Sequence, residues 1–371
     1  MLTQPEVVPY LLQHNLIGAA SIVESDLLVA DASRRNRNFK VISERGPSYL
    51  LKQGLGPGGI AAVAHEAAVY QFLYSRAEKD GLDRYLPRYY EYDPKEQILI
   101  LQLLGDAQDF REYHARRGHF STILARAMGK ALGTVHRLTR TNGKENEDGY
   151  LFPVQPPGTL SIHRPDPRIF QDISGANLQL IRIVQNSAEF CQILDELRRG
   201  WQTETLIHHD IKWDNCLVFA HSPSKRMTRL KIVDWELARL GDPCWDVGSV
   251  FGNYLSFWLF SIPITGGAPP DRFMELARYP LESMQPAMRS FWQAYVRTME
   301  LDAATSDDWL LRAVKYGAAR LVHMGLEQMQ TSVHLTGNIV CLLQLSLNVL
   351  QRPREAMVHL LGLPLGQAWT P

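Results

Sequence analysis

The sequence has few cysteines, no surplus of either charge and no long apolar run. Its four cysteines form no CxxC pair and have no zinc-finger spacing to histidine, so we expect reduced thiols, without a disulfide framework or a zinc site. Lysine plus arginine and aspartate plus glutamate each number 39, so no basic field exists to recruit nucleic acid or anionic lipid. These shortages exclude disulfide-stapled scaffolds and make a nucleic-acid partner unexpected.

Neither of the two most apolar stretches is predicted to cross a membrane. The stretch 250–264 is interrupted by Asn253 and Pro263, and the stretch 339–350 is too short and contains polar residues. The N-terminus lacks the cationic segment followed by an apolar one that marks a secretory signal. We therefore expect a cytoplasmic protein with no membrane partner, in which both stretches form core helices.

The apolar pattern changes near residue 104. Before it, strands are expected at 27–29, 39–42, 49–52 and 97–103, and a helix at 60–78. After it, helices are expected at 121–138, 173–186, 187–199, 307–330 and 334–350. The predicted fold class is α+β, with a small lobe of sheet and one main helix at 1–104 and a larger, mostly helical lobe at 105–371.

Repeated turn signals interrupt the helical part between residues 139 and 168, where Asn-Gly, Asp-Gly and Pro-Pro pairs occur. We expect an inserted segment near 139–204, followed by the catalytic loop and the C-terminal helices. Because segments outside the regular scaffold often carry specificity, this insertion is the candidate for acceptor selection.

The stretch His208-His209-Asp210-Ile211-Lys212-Trp213-Asp214-Asn215 has the residue types of a phosphoryl-transfer loop. Asn215 follows Asp210 by five residues, and Asp234 follows Asn215 by 19. At this spacing Asp210 would accept the proton of a hydroxyl group, while Asn215 and Asp234 would supply the oxygen ligands that Mg²⁺ prefers. Apolar runs between the two ligands predict two short strands that bring them to one edge. Taken alone, four fixed positions can also match by chance.

A lysine and a glutamate upstream complete the set in the order that transfer from ATP requires. Lys52 ends a strand-like run, and Glu66 lies 14 residues later in an amphipathic helix. An ion pair between them would aim the ammonium group at the phosphates of ATP. For each residue alone, an exposed strand end or a solvated helix carboxylate is the better explanation. Together with the downstream motif, they favour a site for Mg-ATP.

Further motifs follow or precede the loop in fixed order. They are Leu132 to Leu138, Ile232-Val233-Asp234-Trp235-Glu236-Leu237-Ala238, Gly241-Asp242-Pro243 and Trp245-Asp246-Val247-Gly248. With the loop, they resemble the aminoglycoside phosphotransferase and choline kinase superfamily, the small-molecule branch of the protein-kinase-like fold, over roughly residues 30 to 260. The resemblance implies a bilobal fold and a hinge, Gln102 to Leu104, whose backbone pairs with adenine. It also implies that His208 is structural and that Asp246 buttresses the catalytic loop.

The segment from Ser33 to Val41 corresponds to the nucleotide-covering loop of that family but contains no glycine. A backbone cradle for phosphates is therefore not expected here. Instead, Ser33 and Asn36 would donate side-chain hydrogen bonds to the nucleotide. The arginines at 34, 35 and 37 would pair with phosphate or with an acidic acceptor. The alternative is a solvated basic turn.

Lys212, two residues after Asp210, is a second departure, since many small-molecule kinases lack this lysine and Ser/Thr protein kinases have it. It would touch the transferring phosphate, and it leaves room for a peptide acceptor.

Three functions stay open. The first is an ATP- and Mg-dependent kinase for an alcohol hydroxyl of a small molecule that is aminoglycoside-, choline- or sugar-like. The second is a Ser/Thr kinase for a precursor peptide in lanthipeptide-type biosynthesis, where a companion lyase eliminates the phosphate. The third is a nucleotide-binding pseudokinase, against which the intact set of Lys52, Glu66, Asp210, Asn215 and Asp234 argues.

Overall fold

Short strands near the N-terminus give way to long helices. The computed structural model describes residues 1–18, 26–33, 36–77, 81–141, 152–167, 173–219, 230–263, 274–364 and 366. The strands are β1 (Leu27–Asp31), β2 (Arg37–Ser43), β3 (Tyr49–Gln53), β4 (Tyr89–Asp93), β5 (Ile98–Gln102), β6 (Ala107–Asp109), β7 (Thr205–Ile207), β8 (Cys216–Phe219), β9 (Leu230–Ile232) and β10 (Arg239–Gly241). The α-helices are α1 (Val7–Gln13), α2 (Gly56–Ala77), α3 (Phe110–Arg117), α4 (Thr122–Leu138), α5 (Gly175–Gln185), α6 (Ala188–Arg199), α7 (Pro243–Phe260), α8 (Leu281–Met299), α9 (Ala303–Gln328), α10 (Gly337–Gln351) and α11 (Pro353–His359).

The chain forms two compact units. The first comprises Met1–Phe110 and Asp214–Ala238, and the second comprises Arg111–Trp213 and Arg239–Pro371. The segment 214–238 joins the first unit because β8 pairs with both β6 and β9. The division at residue 104 stays a prediction, and the structure adds that a later segment returns to the first unit.

The first unit is built on a five-stranded antiparallel sheet in the order β1-β2-β3-β5-β4. Strand β5 lies inside the sheet, and its four apolar residues, Ile98 to Leu101, are buried on both faces. Helix α2 packs on the sheet through residues spaced three and four apart, which include Val63, Glu66 and Tyr70. Successive side chains of β3 point to opposite faces, so Lys52 and Leu51 face opposite sides.

The N-terminal segment joins a separate hydrophobic cluster on this sheet. Leu2, Val7 and Leu11 pack with residues that include Phe39 and Leu51. The cluster therefore occupies the face of β3 that Lys52 does not use, because Leu51 and Lys52 alternate along the strand.

The second unit is helical and held by close helix pairs. Helices α4 and α8 pack along most of their length, as do α7 and α9. Gly317 of α9 lies so close to α7 that an added Cβ would come within 2.8 Å of the carbonyl oxygen of Gly248. Small residues at this crossing therefore let the two helices approach closely.

The predicted α+β class, with a small sheet lobe and a mostly helical remainder, is confirmed. Several elements were missed, among them α1, α3 and strand β4. The helix predicted at 60–78 begins earlier, at Gly56, whose φ of 63° only a few residue types adopt readily. Parts of the predicted insertion, 142–151 and 168–172, lie outside the described residues.

The apolar stretch 250–264 lies largely in α7 and 339–350 in α10. Among the helices of the described residues, none combines the length and apolar character that a membrane crossing needs.

Candidate active site

In the first unit, Lys52 of β3 lies between two carboxylates. Its Nζ is 2.9 Å from each carboxylate oxygen of Glu66, on α2, and 3.0 Å from Oδ1 of Asp234. Glu66 is fully buried, whereas the Asp234 side chain is 36% exposed. One cation thus meets two anions, and this set of three has a net charge of about −1, which is suited to a further cation.

Burial disfavours the charged form of Lys52 and lowers its pKa, but the charges of Glu66 and Asp234 outweigh burial and raise the pKa above its usual value. The ammonium group therefore stays protonated at any pH at which the fold is stable. Lys52 can act as a fixed cation, not as a proton donor or base.

Asp234 and Asn215 lie side by side at the ends of paired strands. The Val233 N–H donates to the carbonyl oxygen of Asn215 at 3.0 Å, beside the β8–β9 ladder. Asp234 has a φ of 68°, in the left-handed region that few non-glycine residues occupy. Such strain persists only where the surroundings enforce it, and it often marks a functional position.

A cavity of about 470 Å³ in the first unit has these residues at one side. Lys52, Asn215 and Asp234 form its polar part. The apolar lining residues include Ile42, Leu50, Leu101, Leu103, Leu104, Leu217 and Val233. A mostly apolar cavity of this size with a few convergent polar groups is typical of a small-molecule site.

The segment Gln102 to Leu104 also lines this cavity. The N–H of Gln102 donates to the Arg88 carbonyl at 2.8 Å, and the N–H of Leu103 donates to the Ser48 carbonyl at 2.9 Å. The Leu104 N–H has no hydrogen-bond partner among the described residues. Of the three predicted hinge N–H donors, Leu104 is the one left for a ligand.

Ser33 and Asn36 are not among the residues that line the cavity. The Ser33 Oγ accepts the N–H of Asn38 at 3.2 Å, and the Asn36 side chain is buried beside Gly59. Their role in nucleotide binding stays a prediction. Residues 34 and 35 lie outside the described residues, and Arg37 donates to the carbonyl of Leu2 at 3.0 Å.

In the second unit, Asp246 of α7 holds the backbone of the loop before Asp210. Its Oδ2 accepts the His208 N–H at 2.7 Å, and its Oδ1 accepts the His209 N–H at 2.9 Å. His208 is fully buried, and its Nδ1 accepts the Asp210 N–H at 3.3 Å. The fully buried Asp246 thus fixes two successive amides where His209 has a φ of 71°.

Asp210 is held between two cations. Its Oδ1 lies 2.5 Å from Nη2 of Arg320, and its Oδ2 lies 2.9 Å from Nζ of Lys212. Burial raises the pKa of Asp210, but the charges of Arg320 and Lys212 reverse this effect and hold the pKa at about 2. Asp210 is therefore ionised at neutral pH and can accept a hydrogen bond from a hydroxyl group.

Sequence reasoning missed three residues of α9 that belong to this set: Arg320, His323 and Glu327. Glu327 Oε2 is 3.7 Å from Nη2 of Arg320, and Glu327 Oε1 is 3.6 Å from Nε2 of His323. The available signal was an arginine within the run Gly317-Ala318-Ala319-Arg320-Leu321-Val322, where an unpaired charge would be costly.

The chain matches proteins of known activity. A model of the APH family, described as the phosphotransferase enzyme family, matches residues 27–270. A 4-hydroxytryptamine kinase from Psilocybe cyanescens is 26% identical over 196 residues, which is 51% of this chain and 52% of that protein. The match thus spans about half the length of that curated relative.

A solved structure of amicoumacin kinase in complex with AMP-PNP, Ca²⁺ and Ami has a similar fold. It aligns with a TM-score of 0.54 and 13% sequence identity, over 92% of this chain and 96% of that one. The family match covers well over half of the chain and contains Lys52, Glu66, Asp210, Asn215 and Asp234. The protein therefore belongs to the APH family, which is described as the phosphotransferase enzyme family.

Proposed function

We propose that the protein transfers the γ-phosphate of ATP, with Mg²⁺, to an alcohol hydroxyl of a small molecule. The observation that carries this proposal is the Lys52 ammonium, held between Glu66 and Asp234 at the polar part of an apolar cavity. A fixed cation and a carboxylate beside an apolar slot fit a nucleotide, which has an apolar base and an anionic tail.

The cavity would bind the two ends of ATP differently. The adenine ring would lie between apolar side chains such as Ile42, Leu50 and Val233, with the free N–H of Leu104 as its donor. The phosphates would lie next to Lys52. The amicoumacin kinase of similar fold was solved with AMP-PNP, which is consistent with this choice of nucleotide.

Asn215 and Asp234 would hold the metal ion. The pair fits Mg²⁺ because both offer side-chain oxygens at one edge of the cavity, and because the Lys52 set has an excess of negative charge. When bound, the ion would supply positive charge that neutralises the charge developing on the phosphates during transfer. The residues of the chain supply position and charge, and Lys52 stays protonated throughout.

Asp210 would receive the hydroxyl proton. The acceptor oxygen forms a bond to the γ-phosphorus, the bond to the bridging oxygen breaks, ADP leaves with that electron pair, and the proton passes to Asp210. Because the pKa of Asp210 is about 2, Asp210 is a weak base. Its main task would be to orient the hydroxyl group, and proton transfer would come late, once the oxygen has bonded to phosphorus.

The small-molecule acceptor is preferred because the curated relative is named for a small hydroxylated amine. Within the second unit, the Thr159 hydroxyl lies 2.9 Å from Nδ1 of His323, which is near Glu327. Thr159 belongs to the predicted insertion, so this contact supports a role of that segment near the acceptor. The precursor peptide and its companion lyase stay a prediction without an observation in their favour.

The test is intact-mass analysis of acceptors after incubation with Mg-ATP. The panel contains 4-hydroxytryptamine, choline, an aminoglycoside, simple sugars and a library of Ser/Thr peptides. We expect one added phosphate on a small molecule with the natural chain and none with Asp210→Asn. A gain on peptides alone would instead establish the peptide kinase, and a gain that survives Asp210→Asn would remove Asp210 from the mechanism.

A further inference from the structure

Arg320 is among the largest fully buried side chains of the described residues, with 1% of its surface exposed. It lies on α9, where Leu321 and Val322 on one side and Ala318 and Ala319 on the other are also buried. Removing a guanidinium group from water costs several kcal/mol unless it is closely paired. A chain that buries this charge therefore needs a partner for it.

The partner is Asp210, 110 residues earlier in the chain. The guanidinium group contacts Oδ1, whereas the half-buried ammonium group of Lys212 contacts Oδ2. The two oxygens are therefore not equivalent. Oδ1 faces a buried cation on a helix, and Oδ2 faces a cation on the same loop whose side chain is 30% exposed.

Arg320 also bridges two carboxylates. One side-chain nitrogen or oxygen atom from each of Asp210, His323 and Glu327 lies within 4.8 Å of the other two. The two carboxylates are therefore close together. Nη2 of Arg320 lies between them, 2.5 Å from Asp210 and 3.7 Å from Glu327. Arg320 and Lys212 balance the two carboxylates, and burial lowers the pKa of His323, which keeps its imidazole neutral.

Helix α9 provides a rigid base for this contact. It crosses α7 closely at Gly317 and Gly248, and α7 carries Asp246, which holds the amides of His208 and His209. Two packed helices thus fix the loop in two ways. Helix α7 fixes its backbone, and α9 fixes the side chain of Asp210 through Arg320.

We infer that Arg320 is a positioning residue for phosphoryl transfer, which holds Oδ1 of Asp210 so that Oδ2 is aimed at the acceptor hydroxyl. The inference rests on the proposed role of Asp210. Among the described residues, the charged and titratable groups that face Asp210 include Arg320, Lys212, His208, His323 and Glu327. Of these, Arg320 is the cation that comes from another element and is fully buried.

A purely structural ion pair is the competing explanation, and α9 offers a matched control. Arg312, eight residues earlier on the same helix, pairs with Glu204 at 3.1 Å and with the buried Asp242 at 3.1 Å. Among the described residues, the ion pairs of Arg312 are with Glu204 and Asp242 and not with Asp210 or Glu327. Replacing it removes a partly buried ion pair from the same helix without touching the loop that carries Asp210.

The experiment compares Arg320→Ala, Arg320→Lys, Arg312→Ala and Asp210→Asn in the full chain. Phosphate transfer from Mg-ATP is measured with 4-hydroxytryptamine as the probe alcohol and with water as a second acceptor. Rates are expressed per folded molecule, from the unfolding curve of each variant. Free guanidinium ion, at a low and non-denaturing concentration, is then added to both alanine variants.

We expect Arg320→Ala to lower kcat about 100-fold, the loss typical of a misplaced catalytic group, while the KM for ATP changes less than about twofold. The kcat of Arg320→Lys should lie between those of Arg320→Ala and the natural chain, because lysine keeps the charge but does not extend as far. Guanidinium ion should restore several-fold activity to Arg320→Ala and none to Arg312→Ala. Arg312→Ala should keep its kcat per folded molecule.

Two results would overturn the inference. One is a kcat of Arg320→Ala and Arg320→Lys equal to that of Arg312→Ala while Asp210→Asn is inactive. The other is a loss in Arg320→Ala that follows the folded fraction alone and does not respond to guanidinium ion. An active Asp210→Asn would point to a different failure, that of the proposed role of Asp210 itself.

Discussion

The two units arrange their central charged side chains in opposite ways. In the first unit one cation, Lys52, lies between two carboxylates, whereas in the second unit one carboxylate, Asp210, lies between two cations. The surplus charge in the first set is negative and lies beside an open cavity, where a metal ion and phosphates would complete it. The second set is already balanced, because Glu327 compensates the second cation.

This difference shows what each set requires from its surroundings. The first set carries surplus negative charge beside the cavity, so we expect its residues to govern nucleotide affinity. The second set is complete in itself, so its residues should govern the rate of transfer and the stability of the loop.

Within the first set, the largest effect is expected for Lys52→Met. Removing a fixed donor that faces developing phosphate charge costs about 100- to 1,000-fold in turnover, or roughly 3–4 kcal/mol. The variant should also bind Mg-ATP more weakly, as measured by calorimetry. Lys231→Met is the matched control, because this lysine of the same unit donates to the carbonyls of Leu86 and Asp83 and does not line the cavity. Equal nucleotide affinity in Lys52→Met and Lys231→Met would show that Lys52 does not govern nucleotide binding.

Asp246→Asn should change stability and turnover but not nucleotide affinity. An amide cannot replace both carboxylate oxygens, which accept the N–H groups of His208 and His209, so stability should fall by about 3 kcal/mol. Turnover per folded molecule should fall with it, whereas Mg-ATP affinity should not. Urea unfolding followed by circular dichroism gives the first quantity. Asp302→Asn, at the exposed N-cap of α9, should leave both unchanged because Asn caps a helix as well as Asp.

Acid should weaken the second unit through buried neutral histidines. Burial lowers the pKa of His114 to about 4, so its neutral form stabilises the fold above the ordinary value of about 6.5, and this contribution is lost as the pH falls towards 4. Between pH 7 and pH 4.5 the loss should be about 2 kcal/mol. His114→Phe should remove this contribution to the dependence of stability on pH. The fold should persist, because an aromatic ring remains among Phe120, Trp213 and Tyr254. Urea unfolding at the two pH values measures it.

His334→Gln serves as the control for this measurement, since His334 is exposed and does not contact His114. The slope of stability against pH should be the same in this variant and in the natural chain. An unchanged slope in His114→Phe would show that other groups cause the acid sensitivity.

The smallest effect is expected for Glu66→Gln. Lys52 would keep its contact with Asp234 and lose one charged partner, so turnover should fall about tenfold, which is roughly 1.4 kcal/mol. Steady-state kinetics at varied ATP would measure it. Glu66 would have no positioning role if the KM for ATP and kcat both stayed within error of the natural values.

The proximity of the residues of the first set could be predicted from the sequence because they belong to ordered motifs. Lys52 ends a β-type run, Glu66 lies on the helix that follows, and Asn215 and Asp234 flank two short strands. These are local patterns whose periodicity can be read directly. The structure brings Lys52, Glu66 and Asp234 into contact, and Asn215 lines the same cavity as Lys52.

The second set could be predicted only in part. Asp210 and Asp246 belong to motifs, but the pairing of Asp210 with Arg320 depends on how α9 packs, over a separation of 110 residues. Strand β4 was missed although Tyr90-Glu91-Tyr92-Asp93 alternates aromatic and acidic residues, since the alternation covers only four residues. The start of α2 was missed because glycine disfavours helix interiors, whereas here Gly56 to Gly59 form its first turn.

The measurement that tests the account most directly is Mg-ATP affinity and turnover in Asp234→Ala and Asp210→Asn, side by side. Asp234→Ala should bind Mg-ATP much more weakly, and Asp210→Asn should bind it as the natural chain does while losing about 100- to 10,000-fold in turnover. The proposed role of Asp234 would be contradicted if Asp234→Ala kept full nucleotide affinity, and that of Asp210 if Asp210→Asn kept its turnover.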